Sequence, residues 1–557
     1  MSHVQALLLK FGARESAGVP EPGVVGGGAD VRVDPMTNEP TPVITPDLHL
    51  LRADLLAADY TVDGVQAALG DLAAAALGRE QAVPALRALA GNESELATLI
   101  RLFILGREVS VAQAEAAFAG LRVAGAVNAQ LVRVGPHGVR ALAELRPAAM
   151  ADTNGTVNWW LASDLSELAT GAALHAEHVL GAGGASITLA QVTARDRVGR
   201  VLDLGTGSGI QALYASRHAS EIVATDLSVR ALEFARFNAA LNEVHFDLRA
   251  GSMLEPVAGE SFDLVVSNPP FVITPRGSGH GGTVPQYEYR DGGAAGDDIV
   301  KNLIQDVGGV LAPGGRVFLL GNWEITAGTP WQERIEQWLD AAEAAHGPLD
   351  AWVIQREVLD PAQYAQTWIR DGGTTADRDP EGYAATFDSW LSDFASRDVG
   401  EIGFGIVVLR KPEAGQPRTL RRLEEVTGSV AQPLGPVFAA ALAAQDWVSA
   451  HTDDELCAQR LMVAPDVTEE RYFTPGSDDP NIIIIRQGGG LRRTVQAGTA
   501  LAGLVGACDG ELTVGQIIGA IASLFEVDEQ TLRTELMTDL RGLIVDGLLS
   551  PVGLQTA

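Results

Sequence analysis

Two cysteines in 557 residues, Cys457 and Cys508, cannot build a disulfide framework and do not make a metal quartet. Both read as buried thiols, and no metal site is expected. Long hydrophobic runs are missing too: nothing approaches the ~20 apolar residues needed to cross a bilayer, so no membrane association is expected. The "ALLL" at positions 6–9 is too short for a signal-peptide core, which predicts cytoplasmic residence. Positive charge is scarce, with 40 Lys plus Arg against 71 Asp plus Glu and a net charge of −31. Such a field repels a polyanion, and the longest basic clusters are the pairs Arg421-Arg422 and Arg492-Arg493. Nucleic-acid binding would need a focused groove to overcome this.

What remains is a globular composition, 46% hydrophobic and 20% charged. At about one domain per 150 residues the chain holds three or four units. The Gly/Pro/Val-rich start reads as a flexible tail over residues 1–47. Residues 48–150 are Ala/Leu-rich with helical periodicity, then alternate around a turn at Gly135-Pro136-His137-Gly138. Helices followed by a hairpin predict a winged-helix-like module. It carries no basic recognition helix, so packing or partner docking is favoured over DNA reading.

Residues 151–412 change to strands alternating with helices, the α/β pattern of a doubly wound parallel sheet. Seven strands are predicted: "RVLDLG", "EIVATDL", "FDLRAG", "FDLVVSN", "GRVFLLGN", "AWVIQREV" and "GFGIVVLR". A helix is predicted over Val229–Leu241. Trp323, Trp331, Trp338, Trp352 and Trp368 are assigned to packing. Residues 413–471 read as an acidic, proline-containing connector, and residues 472–557 as a second winged-helix-like module with Thr513 as a helix N-cap. Its pattern resembles the small peptide-clasping domains of the PqqD type, and a scaffold or subunit-contact role is expected.

Two motifs carry chemistry. "VLDLGTGSG", Val201 to Gly209, ends a strand in glycines and enters a helix, so the backbone can approach a ligand at a positive helix end. Asp226 ends the next strand about 20 residues beyond Gly205, where a carboxylate accepts from ribose hydroxyls. At this point NAD and S-adenosylmethionine are rivals. The second motif, Asn268-Pro269-Pro270-Phe271, ends the fourth strand. Two prolines leave the sheet rigidly, holding the Asn268 amide oxygen and the Pro269 carbonyl as fixed acceptors beside an aromatic ring. Acceptors of this kind orient a planar NH₂ so that its lone pair faces a methyl donor, and a dehydrogenase has no use for them.

In this order and spacing the motifs resemble those of the class I S-adenosylmethionine methyltransferases with an N-P-P-[FY] motif. The nearest likeness is to the small-domain and HemK-type group, which includes release-factor glutamine methyltransferases and exocyclic-amine rRNA methyltransferases. The resemblance spans roughly residues 165–410. It implies that Asp203, Gly205, Thr206, Gly207 and Gly209 cradle the methionine moiety, Asp226 and Leu227 the ribose side, and Asn268 to Phe271 the target nitrogen. Where many relatives place an acidic residue to read adenine, this chain has Ser252. The implied activity is N-methylation of a planar nitrogen. Acidity favours a protein glutamine amide; an adenine or guanine amine of nucleic acid and a non-catalytic cofactor-binding scaffold are the alternatives. The flanking modules are expected to bind a peptide or protein partner. The Gly-rich stretch after Phe271, with His280, Tyr287, Tyr289 and Arg290, is expected to form a substrate lid.

Overall fold

The structure is a computed structural model, describing residues 40–553 except 153–154, 173, 276–289, 373, 375 and 378. Residues 1–39 of the expected tail and most of the expected lid, with His280, Tyr287 and Tyr289, lie outside the described residues, whereas residues 40–47 of that tail are bonded to the domain, Val43 N–H donating to Ala129 O at 2.9 Å. Among the described residues no helix is long and apolar enough to cross a membrane.

The Val/Ile/Leu-rich runs form one large sheet of β1 (Val198–Leu204), β2 (Ala219–Asp226), β3 (Asp247–Ala250), β4 (Phe262–Ser267), β5 (Leu311–Thr326), β6 (Asp350–Leu359), β7 (Val399–Arg410) and β8 (Arg421–Glu425). Their spatial order is β8-β6-β7-β5-β4-β1-β2-β3. All neighbours are parallel except β7, which runs antiparallel to both β5 and β6. Strands buried on both faces read as near-continuous apolar runs, which is why the seven predicted strands are all present. The eighth is a correction. β8 lies inside the stretch read as a connector, and its sequence, "RRLEE", offers no apolar run to betray an edge strand.

Side chains alternate between two cores. Val201, Leu264, Val266, Phe318, Leu320 and Ile354 face one layer of helices, while Leu202, Val265, Val317, Leu319 and Val353 face the other. The chain order reverses between β1 and β4. Their carboxyl ends therefore flank the crevice where ligands bind in open α/β sheets. From β1 the chain enters α1 (Ile210–Ala215), and from β2 it enters α2, which spans Val229–Leu241 as predicted. The five assigned tryptophans are all buried.

The N-terminal helices and the hairpin Val132–Val134/Val139–Ala141 share one core with Ala231, Phe234 and Phe237 of α2. A second hairpin, Glu144–Asp152/Gly155–Ser163, runs straight through the boundary expected at residue 150. Its outer edge is satisfied by two amides, one in α2 and one capping it: Asn238 exchanges hydrogen bonds with the backbone of Ala162 (2.7 and 2.9 Å) and Asn242 with that of Trp160 (2.9 and 2.8 Å).

The 413–471 stretch is structured beyond β8. Its helix Gly435–Ser449 lays Phe438, Ala441 and Leu442 onto the sheet, with Phe438 edge-on to Trp352 at 5.1 Å. The C-terminal helices fall where expected, with Thr513 accepting from Gln516 N–H to cap the helix Val514–Phe525, but the boundary expected at residue 472 is a correction: Arg460–Val463 and Val467–Tyr472 pair with strands of that unit. That unit docks on β8, where Glu424 binds Trp352 Nε1 (2.7 Å) and Arg493 (2.7 Å), and Arg422 binds Asp546 (2.6 Å).

Candidate cofactor and substrate site

The loop after β1 is shaped by three left-handed glycines, with φ of 73° at Gly205, 54° at Gly207 and 90° at Gly209. A Cβ at Gly205 or Gly207 would meet nothing within 4 Å, so this side of the loop is an open cradle. Gly209 differs. A Cβ there would stand 3.3 Å from Ala235 of α2, so this glycine serves close packing of the loop on α2 and faces inward. The loop is laced to β2: Gly205 and Thr206 N–H both donate to Thr225 O at 2.9 Å, and Gly207 N–H donates to Asp226 Oδ2 at 2.8 Å. Asn238 Nδ2 holds Ser208 O at 2.8 Å, linking loop, helix and hairpin.

Asp203 is buried and turns inward. Its Oδ2 accepts from Thr206 Oγ1 at 2.6 Å and from Ala212 N–H at 2.9 Å. Burial pushes its carboxyl up to about 7, against the opposing pull of those two donors. Asp203 and Thr206 thus brace the loop through each other. Asp226 also accepts from Ser228 N–H (2.9 Å), and burial raises its carboxyl above the usual range despite these backbone donors. Leu227 beside it is 73% exposed, an apolar surface next to the glycine loop. Gly251 N–H donates to Asp226 O at 3.0 Å, which brings exposed Ser252 to the same mouth.

At the end of β4, Ser267 Oγ donates to Leu204 O at 2.8 Å and ties β4 to β1. The next residue, Asn268, is half-buried. Its Oδ1 is buried and accepts no hydrogen bond from any described residue. A buried acceptor without a donor costs about 1–3 kcal/mol. Pro269 is buried, Pro270 is half-buried, and Phe271 packs where three cores meet and bridges to Asp291. Arg290, assigned to the lid, is buried and holds Trp368 O and Asp371 at 3.0 Å each.

Three polar groups went unread in the sequence. Asn322 in β5 is fully buried; its Nδ2 donates to Tyr364 Oη at 2.8 Å while its Oδ1 is buried without a donor among the described residues. Tyr364, in α3 (Pro361–Asp371), also accepts Ile273 N–H at 2.9 Å, so it fixes the chain just beyond Phe271. Glu357 of β6 keeps a buried, unpartnered Oε2, and burial pushes its carboxyl up to about 7. Asn322 and Glu357 both pair in register with Phe404 of β7, placing amide, ring and carboxylate in one row at the carboxyl edge of the sheet. An asparagine inside "FLLGNWEI" was the available signal for Asn322.

A glycine loop after β1, an aspartate ending β2, an N-P-P-F turn ending β4 and an antiparallel β7 inserted between β5 and β6 define the central domain as a class I methyltransferase domain, and the open cradle and exposed Leu227 fit S-adenosylmethionine. Residues 173–278 match the family described as methyltransferase small domain. Two domains of unknown function, DUF7059 and DUF7782, match residues 57–142 and 439–551. The chain is 37% identical over 127 residues to the release factor glutamine methyltransferase of Deinococcus radiodurans, covering 22% of this chain and 44% of that protein. It is 31% identical over 157 residues to the ribosomal protein uL3 glutamine methyltransferase of Bradyrhizobium diazoefficiens, covering 26% and 48%. It is also 28% identical over 144 residues to the ribosomal RNA small subunit methyltransferase C of Alcanivorax borkumensis, covering 26% and 36%. The chain thus spans under half the length of these relatives. A solved Pyrococcus furiosus methyltransferase aligns at 17% identity and a TM-score of 0.24, over 41% of this chain and 81% of that one.

Proposed function

We propose that the chain is an S-adenosylmethionine-dependent N-methyltransferase acting on a planar nitrogen, with the side-chain amide of a protein glutamine as the favoured substrate. The carrying observation is Asn268 Oδ1, a buried acceptor without a donor, held at the strand mouth by two prolines. S-adenosylmethionine, when bound, supplies an electrophilic methyl group on a sulfonium. Asp226 holds the ribose hydroxyls, Leu227 and Ser252 border the adenine, and the loop from Gly205 to Gly209, braced by Asp203 and Thr206, lines the methionine side. Asn268 Oδ1 and the Pro269 carbonyl accept the two amide hydrogens, and Phe271 stacks on the amide plane. The nitrogen lone pair forms the new C–N bond as the C–S bond breaks, and the nitrogen then sheds one proton to water.

Two of the relatives named above are glutamine methyltransferases of proteins, and a net charge of −31 disfavours a polyanionic substrate. The flanking modules are proposed to hold the protein partner. A nucleobase amine is the second reading, favoured by the rRNA methyltransferase relative. Labelling a cell lysate with radioactive S-adenosylmethionine separates the two. Label in a protease-sensitive, nuclease-resistant fraction supports a protein substrate, and the reverse pattern supports nucleic acid.

A further inference from the structure

Between the second hairpin and the helix Gly184–Val192 the chain carries Asp164, His175 and His178. Asp164 is buried and closes this segment on itself: its N–H donates to Val179 O at 3.1 Å and its Oδ2 accepts Val179 N–H at 2.8 Å. Arg230, from the first turn of α2, binds Asp164 Oδ1. The other carboxylate oxygen looks toward both imidazoles, with Oδ2 at 3.5 Å from His175 Nε2 and 3.9 Å from His178 Nδ1. The two rings meet edge to face at 5.4 Å. One ligand atom from each of the three residues lies within 4.8 Å of the others.

We propose that Asp164 Oδ2, His175 Nε2 and His178 Nδ1 form a binding site for a first-row transition-metal dication, zinc above all. Ligand atoms ~2.0–2.1 Å from a tetrahedral zinc stand roughly 3.4 Å apart. The Asp164–His175 separation is within a tenth of an ångström of that, and the Asp164–His178 separation within about half an ångström, which small side-chain rotations close. Two imidazoles with one carboxylate suit zinc and its neighbours, whereas calcium and magnesium take oxygen shells. Arg230 sits where an outer hydrogen-bond partner of a ligating carboxylate belongs, fixing the oxygen that the metal does not use. Its charge disfavours a bare dication, which makes the site dependent on all three ligands. The ion would close the segment entering the methyltransferase domain on itself, beside the first turn of α2 that Arg230 already joins to Asp164. The site stands independently of the methyl-transfer reading.

The test uses the full chain, purified without a histidine tag, dialysed against zinc and then against metal-free buffer, with zinc counted by mass spectrometry. Cobalt substitution provides a visible-band signature of the same site. The expected result is one retained zinc per chain in the parent and none in His175→Ala, whose half-exposed side chain can be removed with the fold intact by circular dichroism. His178→Gln should lose the cobalt bands as well. A parent that retains no zinc, or a His175→Ala, His178→Ala double variant that still retains one, would overturn the proposal.

Discussion

Asn322 Nδ2 donates to Tyr364 Oη at 2.8 Å, and the same hydroxyl oxygen accepts Ile273 N–H at 2.9 Å. One phenol thus joins β5, α3 and the backbone two residues past Phe271, all without solvent contact. The placement of the N-P-P-F turn depends on this junction as well as on its prolines. Tyr364→Phe leaves a buried N–H and a buried amide hydrogen unsatisfied and should destabilise the fold by about 1–3 kcal/mol for each group. Denaturant unfolding measures it; an unchanged midpoint would mean that the junction relaxes freely.

Asp226→Ala should weaken S-adenosylmethionine by about 1–3 kcal/mol, the scale for leaving hydrogen-bond partners unmatched. It also removes the acceptor of Gly207 N–H, so the loop loosens with the pocket. Calorimetry with S-adenosylmethionine and NAD in parallel checks both halves. Tight NAD binding with none for S-adenosylmethionine would refute the cofactor assignment.

The glycine loop, Asp226 and the N-P-P-F turn were legible in sequence because each is local: strand, turn residue and ligand group are consecutive. The sheet was legible because doubly covered strands are written as apolar runs. β8 was not, since "RRLEE" is a half-buried edge whose partners are distant charges such as Asp546. Only the fold shows the Asp203 carboxylate bonded to Thr206 and Ala212. Nor could Asn322 and Tyr364 be paired, since their bond needs α3 folded back across the sheet. The convergence of Asp164 with two histidines likewise needs the chain to turn back past the short helix Glu167–Thr170.

Glu357 gives a pH signature. Burial moves its carboxyl from 4.5 to about 7 in the folded chain, so the native state holds this proton more tightly than the unfolded state does. The resulting stability is complete below the unfolded value and is lost as pH rises through about 7. Asp203, moved from 3.8 to about 7, acts with the same sign. Glu357→Gln should therefore gain melting temperature relative to the parent as pH goes from about 5 to about 8. A difference that stays constant across that range would show that Glu357 titrates normally.

Asn268→Ala should keep S-adenosylmethionine affinity and lose turnover on the order of 100-fold, because it removes an acceptor aimed at the substrate and not at the cofactor. Pro269→Ala should fall the same way by freeing that acceptor. Parallel loss of cofactor affinity would place Asn268 in the cofactor pocket instead.

The central claim is methyl transfer to an amide-type nitrogen at Asn268. It is tested most directly by incubating the parent and Asn268→Ala chains with labelled S-adenosylmethionine and lysate protein, then locating the label by peptide mass spectrometry. The expected result is N-methylglutamine in a defined protein with the parent and its near absence with Asn268→Ala. Label on a carbon, oxygen or sulfur atom, or equal labelling by the two chains, would contradict it.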